Sequence, residues 1–97
     1  MREKEIEEYL VKHVRRRGGR AYKFVSPGNS GVPDRLVVFP GGVIAFAEMK
    51  APGEKPRPLQ EHEINRLRRF GQRADVLDSK EKVDGFIAEL FREAGTE

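Results

Sequence analysis

Two carboxylates and one amine converge in the secondary structure that this 97-residue sequence predicts. Asp34 precedes one short apolar run, and Glu48 and Lys50 end the next one. Charged groups held partly out of water are tolerated when they pair with each other or bind a metal. Mg²⁺ takes oxygen ligands and is commonly held by one or two carboxylates together with waters and a substrate phosphate. The three residues therefore indicate a site for a divalent cation.

The two apolar runs predict a β-hairpin that positions these side chains. Arg35–Phe39 and Val43–Lys50 are rich in β-branched and aromatic residues, and Pro40–Gly42 lies between them. Proline supplies a fixed φ and glycine a positive φ, and a tight reversal of the chain needs both. The charged residues are therefore expected at the open end of the hairpin, away from the turn.

A three-residue loop determines the register of this hairpin. Phe39 then pairs with Val43, and the same register sets Asp34 opposite Glu48. Facing side chains on antiparallel strands have Cβ atoms roughly 5 Å apart, and like charges there are destabilising without a compensating partner. A bound cation would resolve this conflict.

Side-chain alternation along the second strand of the hairpin predicts that both of its faces are covered. Glu48 and Lys50 project on the same side as Ile44 and Phe46. The opposite side carries Val43, Ala45, Ala47 and Met49. Apolar residues on both sides are typical of a central strand packed above and below. The two charged residues are therefore expected at the end of an otherwise buried strand.

The order of these residues carries a family resemblance. Gly31-Val32-Pro33-Asp34, the hairpin, Glu48-Met49-Lys50 and, ten residues later, Gln60 form the pattern. It resembles the virus-type replication-repair nuclease (VRR-NUC) domain in its small stand-alone form, within the PD-(D/E)XK nuclease superfamily. The resemblance extends from about residue 3 to about residue 90. It implies a restriction-endonuclease-like fold and a role in phage replication or DNA repair.

The resemblance also implies a set of metal ligands. Asp34, Glu48 and the carbonyl of Met49 would be inner ligands of Mg²⁺ or Mn²⁺, and a glutamate of the first helix commonly completes the site in this family. We assign that role to Glu7, with Glu3 as the second choice, because both flank the apolar stripe of the helix. Each can equally be a first-turn acid stabilised by the helix dipole. Whether one or two metals bind stays open.

Two further residues receive catalytic roles from the same resemblance. Lys50 would hold the attacking water or stabilise charge on the phosphate. The alternative for Lys50 is a simple ion pair with Glu48 or Asp34. Gln60 would line the active site from the start of the second helix, and its alternative is a solvated helix-start residue.

Periodicity predicts the remaining elements. A first helix over Glu3–Arg17 ends at a glycine pair, and Ala21–Ser26 alternates as an edge strand. A second helix over Leu59–Phe70, a strand over Ala74–Asp78 and a last helix over Lys80–Arg92 follow. The order α-β-β-β-α-β-α predicts an α/β fold with a mixed sheet flanked by helices.

Composition limits the class of protein. The chain is expected to form one nuclease-like domain over residues 1–97. Charged residues make up 36% of the sequence, with a net charge of +3, which favours a polyanionic partner. There is no cysteine, which suits the cytoplasm of a bacterium or a phage-infected host. No secretory signal, membrane segment or nucleotide-binding glycine motif is visible, so neither a membrane nor a small-molecule cofactor is expected.

Basic residues in several segments, and one serine in the loop before Asp34, predict contacts with nucleic-acid phosphates. These candidate residues are Arg15, Arg16, Arg17, Arg20, Lys23, Ser30, Arg35, Lys55, Arg57 and Arg66.

The sequence therefore predicts a metal-dependent, structure-selective endonuclease that hydrolyses DNA phosphodiesters. We further expect a homodimer that acts on branched DNA such as a four-way (Holliday) junction. Surplus apolar residues of the last helix suit either a dimer interface or an intramolecular core: Phe86, Ile87, Leu90 and Phe91. The competing classes are a non-catalytic nucleic-acid-binding module on the same scaffold and a small interaction domain without a nucleic-acid role.

Overall fold

The computed structural model describes residues 1–93 as a four-stranded sheet with three helices. In chain order the elements are α1 (Glu3–Arg16), β1 (Arg20–Lys23), β2 (Arg35–Phe39), β3 (Val43–Met49), α2 (Pro58–Arg69), β4 (Arg73–Leu77) and α3 (Lys80–Glu93). The strands lie in the order β1-β2-β3-β4. The α/β fold with a mixed sheet is therefore confirmed. No helix within these residues is long and apolar enough to span a membrane.

The register of the central hairpin is the predicted one. Phe39 pairs with Val43 and Arg35 with Ala47 in antiparallel strands β2 and β3. β1 also runs antiparallel to β2, whereas β4 runs parallel to β3. A parallel pair needs a crossover connection, which α2 provides here. The charged ends of β2 and β3 therefore meet at one edge of the sheet.

Glycines end the first two helices in the same way. Gly18 has a φ of 89° and donates its N–H to the carbonyl of Arg15, while Gly19 donates to that of Val14, both at 3.0 Å. This is the Schellman arrangement, in which a left-handed residue after the last helical turn satisfies otherwise unpaired carbonyls. Gly71 ends α2 with the corresponding bonds. The helix ends predicted at these glycines are thus explained by their backbone conformation.

One face of the sheet forms the hydrophobic core beneath α1 and α3. The buried side chains of α1 are Ile6, Leu10 and Val14. They pack in one cluster with residues of β2, β3, β4 and α3, including Val37, Ala45, Ala47, Met49 and Leu77. Because side chains alternate along a strand, the residues between these positions point to the other face. That other face carries Glu48.

α2 covers only part of this second face. It packs mainly on β4, through contacts that include the buried Ile64. On the β1 to β3 side, Tyr22 is 56% and Ile44 46% exposed. The prediction that β3 is covered above and below is therefore wrong at its turn end, because one twelve-residue helix is too narrow to cover four strands.

The apolar residues of α3 belong to the intramolecular core. Phe86, Ile87 and Leu90 are at most 3% exposed, and Phe91 packs edge-on against Phe39 with ring centroids 6.4 Å apart. α3 packs against α1, β3 and β4 together, which explains why it needs a wide apolar stripe. Of the two roles predicted for these residues, the structure therefore supports the intramolecular core.

Candidate active site

The loop before Asp34 is held against the first turn of α2. Gly31 has a φ of 90°, and a Cβ placed on it would lie 2.6 Å from the carbonyl oxygen of Leu59 and 3.1 Å from the nitrogen of Gln60. Pro33, two residues later, is fully buried. Only glycine tolerates both the left-handed backbone and this close approach. Gly31 therefore couples the position of Asp34 to the start of α2.

Asp34 is tied to both neighbouring strands. Its carboxylate oxygen Oδ2 accepts a hydrogen bond of 3.0 Å from the N–H of Met49. Its backbone carbonyl accepts one of 2.8 Å from the N–H of Phe24, which extends the pairing beyond the end of β1. The carboxylate is thereby oriented across the open end of the hairpin toward Glu48.

Glu48 has a buried carboxyl group that the rest of the protein satisfies only in part. It is 1% exposed, and its Oε1 has no hydrogen-bond partner among the residues that the structure describes. Its Oε2 lies 3.3 Å from the Nζ of Lys50. Burial and the nearby Asp34 carboxylate raise the pKa of Glu48 from 4.5 to about 7, although Lys50 acts in the opposite direction. Ionised Glu48 thus lacks enough compensation from the protein's own groups.

The two glutamates of α1 have different surroundings. Glu7 accepts a 2.8 Å hydrogen bond from the Nε of Arg35 in an ion pair, and both side chains are about four-fifths buried. Burial and the charge of Asp34 raise the pKa of Glu3, and Glu3 in turn acts on the pKa of Glu48. Glu3 therefore belongs to the electrostatic environment of the carboxylate pair. Glu7, the first choice from the sequence, is engaged by an arginine instead.

These carboxylates do not form a dense cluster. Across residues 1–93, no group of three or more His, Cys, Asp or Glu side chains is close enough together to hold a metal ion. The donor set nevertheless suits a hard cation, because Asp34 and Glu48 supply only oxygen and one of these oxygens is buried without a partner. Water and substrate oxygens complete such sites for Mg²⁺.

Gln60 has a structural role at the start of α2. Its Oε1 accepts a 2.8 Å hydrogen bond from the N–H of Arg57, and the residue is buried. The side chain therefore caps the helix and is not solvated. Its backbone lies against Gly31, which precedes Asp34 by three residues. Its role in lining the active site stays a prediction.

The predicted nucleic-acid contacts fall on several surfaces. Arg15, Arg16, Lys23 and Arg35 line one groove of about 840 Å³ between α1 and the edge of the sheet. Lys4 and Lys12 line the same groove and were missed. Their spacing of eight residues on one helix face, with Arg16 four residues further on, is the signal that could have identified them.

The other predicted contacts lie outside this groove. Arg17 stacks over the ring of Phe91 at 4.9 Å, and Arg20 donates to the carbonyl of Gly19. Arg66 pairs with Glu63 at 3.9 Å. Exposed loop positions account for the rest: Ser30, Lys55 and Arg57. The structure therefore brings together four of the ten candidates.

Comparisons with known proteins identify relatives of the whole fold. No model of a protein family matches the chain. Over 81 residues the chain is 58% identical to a protein of Acyrthosiphon pisum secondary endosymbiont phage 1 named "Putative nuclease p44", which covers 84% of this chain and 87% of that protein. A solved structure described as "VRR_NUC domain" matches with a TM-score of 0.83 at 37% identity, covering 89% of this chain and 94% of the other.

A second solved structure, described as "VRR_NUC domain protein", has a TM-score of 0.72 at 20% identity. The match covers 95% of this chain and 89% of the other, and at this identity it supports the fold alone.

Proposed function

The chain belongs to the VRR-NUC nuclease family, and we propose that it hydrolyses DNA phosphodiester bonds with the help of a divalent cation, Mg²⁺ or Mn²⁺. The carboxyl group of Glu48 carries this proposal. It is buried next to a second carboxylate, one of its oxygens has no hydrogen-bond partner within residues 1–93, and its pKa is raised. A buried acid pair of this kind costs folding stability, and a cation would offset that cost.

Asp34 and Glu48 would hold the cation together with the carbonyl of Met49. A bound cation would polarise a phosphate oxygen and lower the pKa of a water for in-line attack. Within the described residues, Met49 N–H orients Asp34 through its Oδ2, and the second oxygen of Asp34 would be available to a ligand. Without a cation, the two carboxylates would repel phosphate. A bound cation would neutralise their charge and so allow a polyanionic substrate to approach.

Lys50 would contact the attacking water or the phosphate of the substrate. Its ammonium group has three donors, and one of them is directed to Glu48 at 3.3 Å. The other two can hold a water or stabilise charge that develops on a phosphate oxygen. A simple ion pair would also place Lys50 here, so that only kinetics separates the two roles.

Glu3 is the better-supported candidate for the glutamate of α1 that assists the site. Its pKa responds first to burial and then to Asp34 and Lys50. Glu7, by contrast, would first have to leave Arg35. We therefore propose Glu3 as the assisting acid, bound directly or through a water, and Glu7 as the residue that orients Arg35.

The proposed substrate is branched DNA, such as a Holliday junction, and the proposed active form is a homodimer. A domain of this size has one site, and a two-fold dimer would present two sites to two strands. The exposed apolar side chains of the uncovered sheet face, among them Tyr22 and Ile44, support an association surface there. Light scattering should give a mass near twice 11.1 kDa, and paired nicks should appear across a mobile junction. A stable monomer at micromolar concentration that cuts junctions no faster than duplex DNA would contradict this part.

Calorimetric titration with Mn²⁺ tests the metal site directly. Wild type should bind, and Asp34→Asn should not, although asparagine can still accept the hydrogen bond from Met49. Glu61→Gln, which removes an exposed carboxylate of α2, is the matched control and should bind as wild type does. Equal heats in wild type and Asp34→Asn would reject the site.

Incubation with junction, flapped and linear DNA, in Mg²⁺ or in chelator, tests the reaction. Cleavage only in Mg²⁺, lost in Asp34→Asn and kept in Glu61→Gln, is the expected result. Binding without cleavage under all conditions would favour the non-catalytic binding module instead.

A further inference from the structure

The groove between α1 and β1 is a concave surface with a large excess of positive charge. Six cationic side chains line it, against the two acidic ones of Glu7 and Glu8, so that positive charge exceeds negative charge by four. The cations are Lys4, Lys12, Arg15, Arg16, Lys23 and Arg35. Val11 also lines the groove, and long cationic side chains can cover apolar surface with their aliphatic stems. An open, basic groove of this kind is complementary to a polyanion.

The groove cations differ in their pairing from a second group of cations, which lies on β4 and α3. Across residues 1–93, only Arg35 of the six makes an ion pair, and it does so with Glu7. On the opposite side of the molecule, Arg73 forms ion pairs with Asp75, Glu89 and Glu93. Lys82 forms an ion pair with Asp78 at 3.0 Å. The protein therefore neutralises one basic surface internally and leaves the other uncompensated.

The distribution of charge along the groove is also uneven. Glu7 and Glu8 lie toward the start of α1, whereas Lys12 and Arg16 lie one turn apart nearer its end. Like charges four residues apart on a helix repel each other, which costs stability in the free protein. A bound string of phosphates would remove this repulsion.

The groove begins at residues that are neighbours of the candidate site in the chain. Arg35 directly follows Asp34, and Lys4 directly follows Glu3. Arg35 also donates a 3.0 Å hydrogen bond to the carbonyl of Ala21 in β1, so it links α1, β1 and β2 at this end of the groove. From Lys4 to Arg16 the helix rises about 18 Å. Along the axis of a B-form duplex, this length corresponds to about five nucleotides of one strand at 3.4 Å each.

From these observations we propose that the groove holds the sugar–phosphate backbone of about five nucleotides on one side of the scissile bond. The proposal rests on the proposed nuclease function and specifies which flank of the substrate the protein grips. The contacts are to phosphates and not to bases, because the lining has long cationic side chains and no aromatic ring. The predicted contacts Arg17, Arg20 and Arg66 lie outside the groove and are not part of this grip.

The salt dependence of DNA binding tests the proposal without any cleavage. Anisotropy of a labelled duplex and a labelled junction is measured in chelator over a range of KCl concentrations. Lys12→Gln/Arg16→Gln should reduce the slope of log K against log [salt] by about two, and affinity at 0.1 M salt should fall by about tenfold per lost contact. Lys80→Gln/Arg92→Gln removes the same charge from exposed positions of α3 and should keep the wild-type slope.

Cleavage of shortened substrates tests the predicted flank. Trimming one side of the cut below about five nucleotides should lower kcat/KM, whereas trimming the other side should not. The α1 double variant should lose this dependence on length. Lys23→Gln, which lies on the strand side of the groove, provides a second variant that does not alter the helix, and it should reduce the slope by about one.

The outcomes separate this proposal from the proposed function. If wild type cleaves DNA but the groove variants bind with the slope of the α3 control, the groove assignment is wrong and the nuclease function stands. If the groove variants show the reduced salt slope but wild type cuts no DNA, the groove assignment holds and the catalytic proposal fails. If DNA affinity is unchanged while the variants change the mass measured by light scattering, the groove holds a second copy of the chain and the proposal is overturned.

Discussion

Replacing Glu48 by glutamine should stabilise the metal-free protein, and this stabilisation should depend on pH. Glutamine keeps the shape of the side chain and cannot ionise. In wild type, burial and Asp34 raise the pKa of Glu48 from 4.5 to about 7. The cost of ionising Glu48 in the folded state is then about 3 kcal/mol, at about 1.4 kcal/mol for each factor of ten in the protonation equilibrium.

The sign of the pH dependence follows from which state loses its proton first. Below about pH 4.5 the Glu48 carboxyl is protonated in both the folded and the unfolded chain. Ionisation of Glu48 therefore adds little there to the difference in unfolding free energy between wild type and Glu48→Gln. As the pH rises, the unfolded chain ionises first, and the folded state retains its proton until about pH 7. Wild type therefore loses up to about 3 kcal/mol relative to Glu48→Gln between these values, and the difference is constant above them.

Urea unfolding followed by circular dichroism, with chelator present, measures this difference at pH 4.5, 6 and 8. Glu61→Gln, at an exposed position, is the control and should not change in the same way. Addition of Mn²⁺ at pH 8 should stabilise wild type, by about 2.7 kcal/mol at a hundredfold excess over Kd, and should leave Glu48→Gln nearly unchanged. A difference between wild type and Glu48→Gln that does not vary with pH, or a glutamine variant less stable than wild type at pH 8, would refute the reasoning.

Three further variants test the surroundings of this pair. Gly31→Ala should cost about 1–3 kcal/mol more in urea unfolding than Gly28→Ala, because the strain of a positive φ is common to both variants and only the Cβ at Gly31 meets the backbone of α2; equal losses would show that the contact is unimportant. Lys50→Ala should lower cleavage about 10²-fold while the Tm changes by only a few degrees, since Glu48 can take up a proton when its partner is lost; normal cleavage would remove Lys50 from the mechanism. Glu3→Gln should weaken Mn²⁺ binding in calorimetry more than Glu7→Gln does, and the reverse order would restore Glu7 as the assisting acid.

Local patterns in the sequence were sufficient for the order of the elements and for the bounds of the helices, although β1 ends at Lys23 and not at the predicted Ser26. Alternation and the Pro-Gly-Gly loop determined the register of β2 and β3, and continuing this register by one residue places Asp34 opposite Glu48. Periodicity with glycine stops located the helices to within about two residues. These features depend on contacts between residues near in the chain, which is why they could be predicted.

The packing of elements against one another decided the rest. Helical spacing puts Glu3 and Glu7 on neighbouring positions of α1, and only the docking of α1 on the sheet brings Arg35 to Glu7 and leaves Glu3 beside Asp34. The same docking collects basic residues of α1 and β1 in one groove, whereas other arginines of similar sequence context pair with nearby carboxylates. A one-dimensional pattern specifies which side of an element is apolar, but the distance between side chains on two elements depends on their relative orientation, which is set by the volumes of the core residues between them.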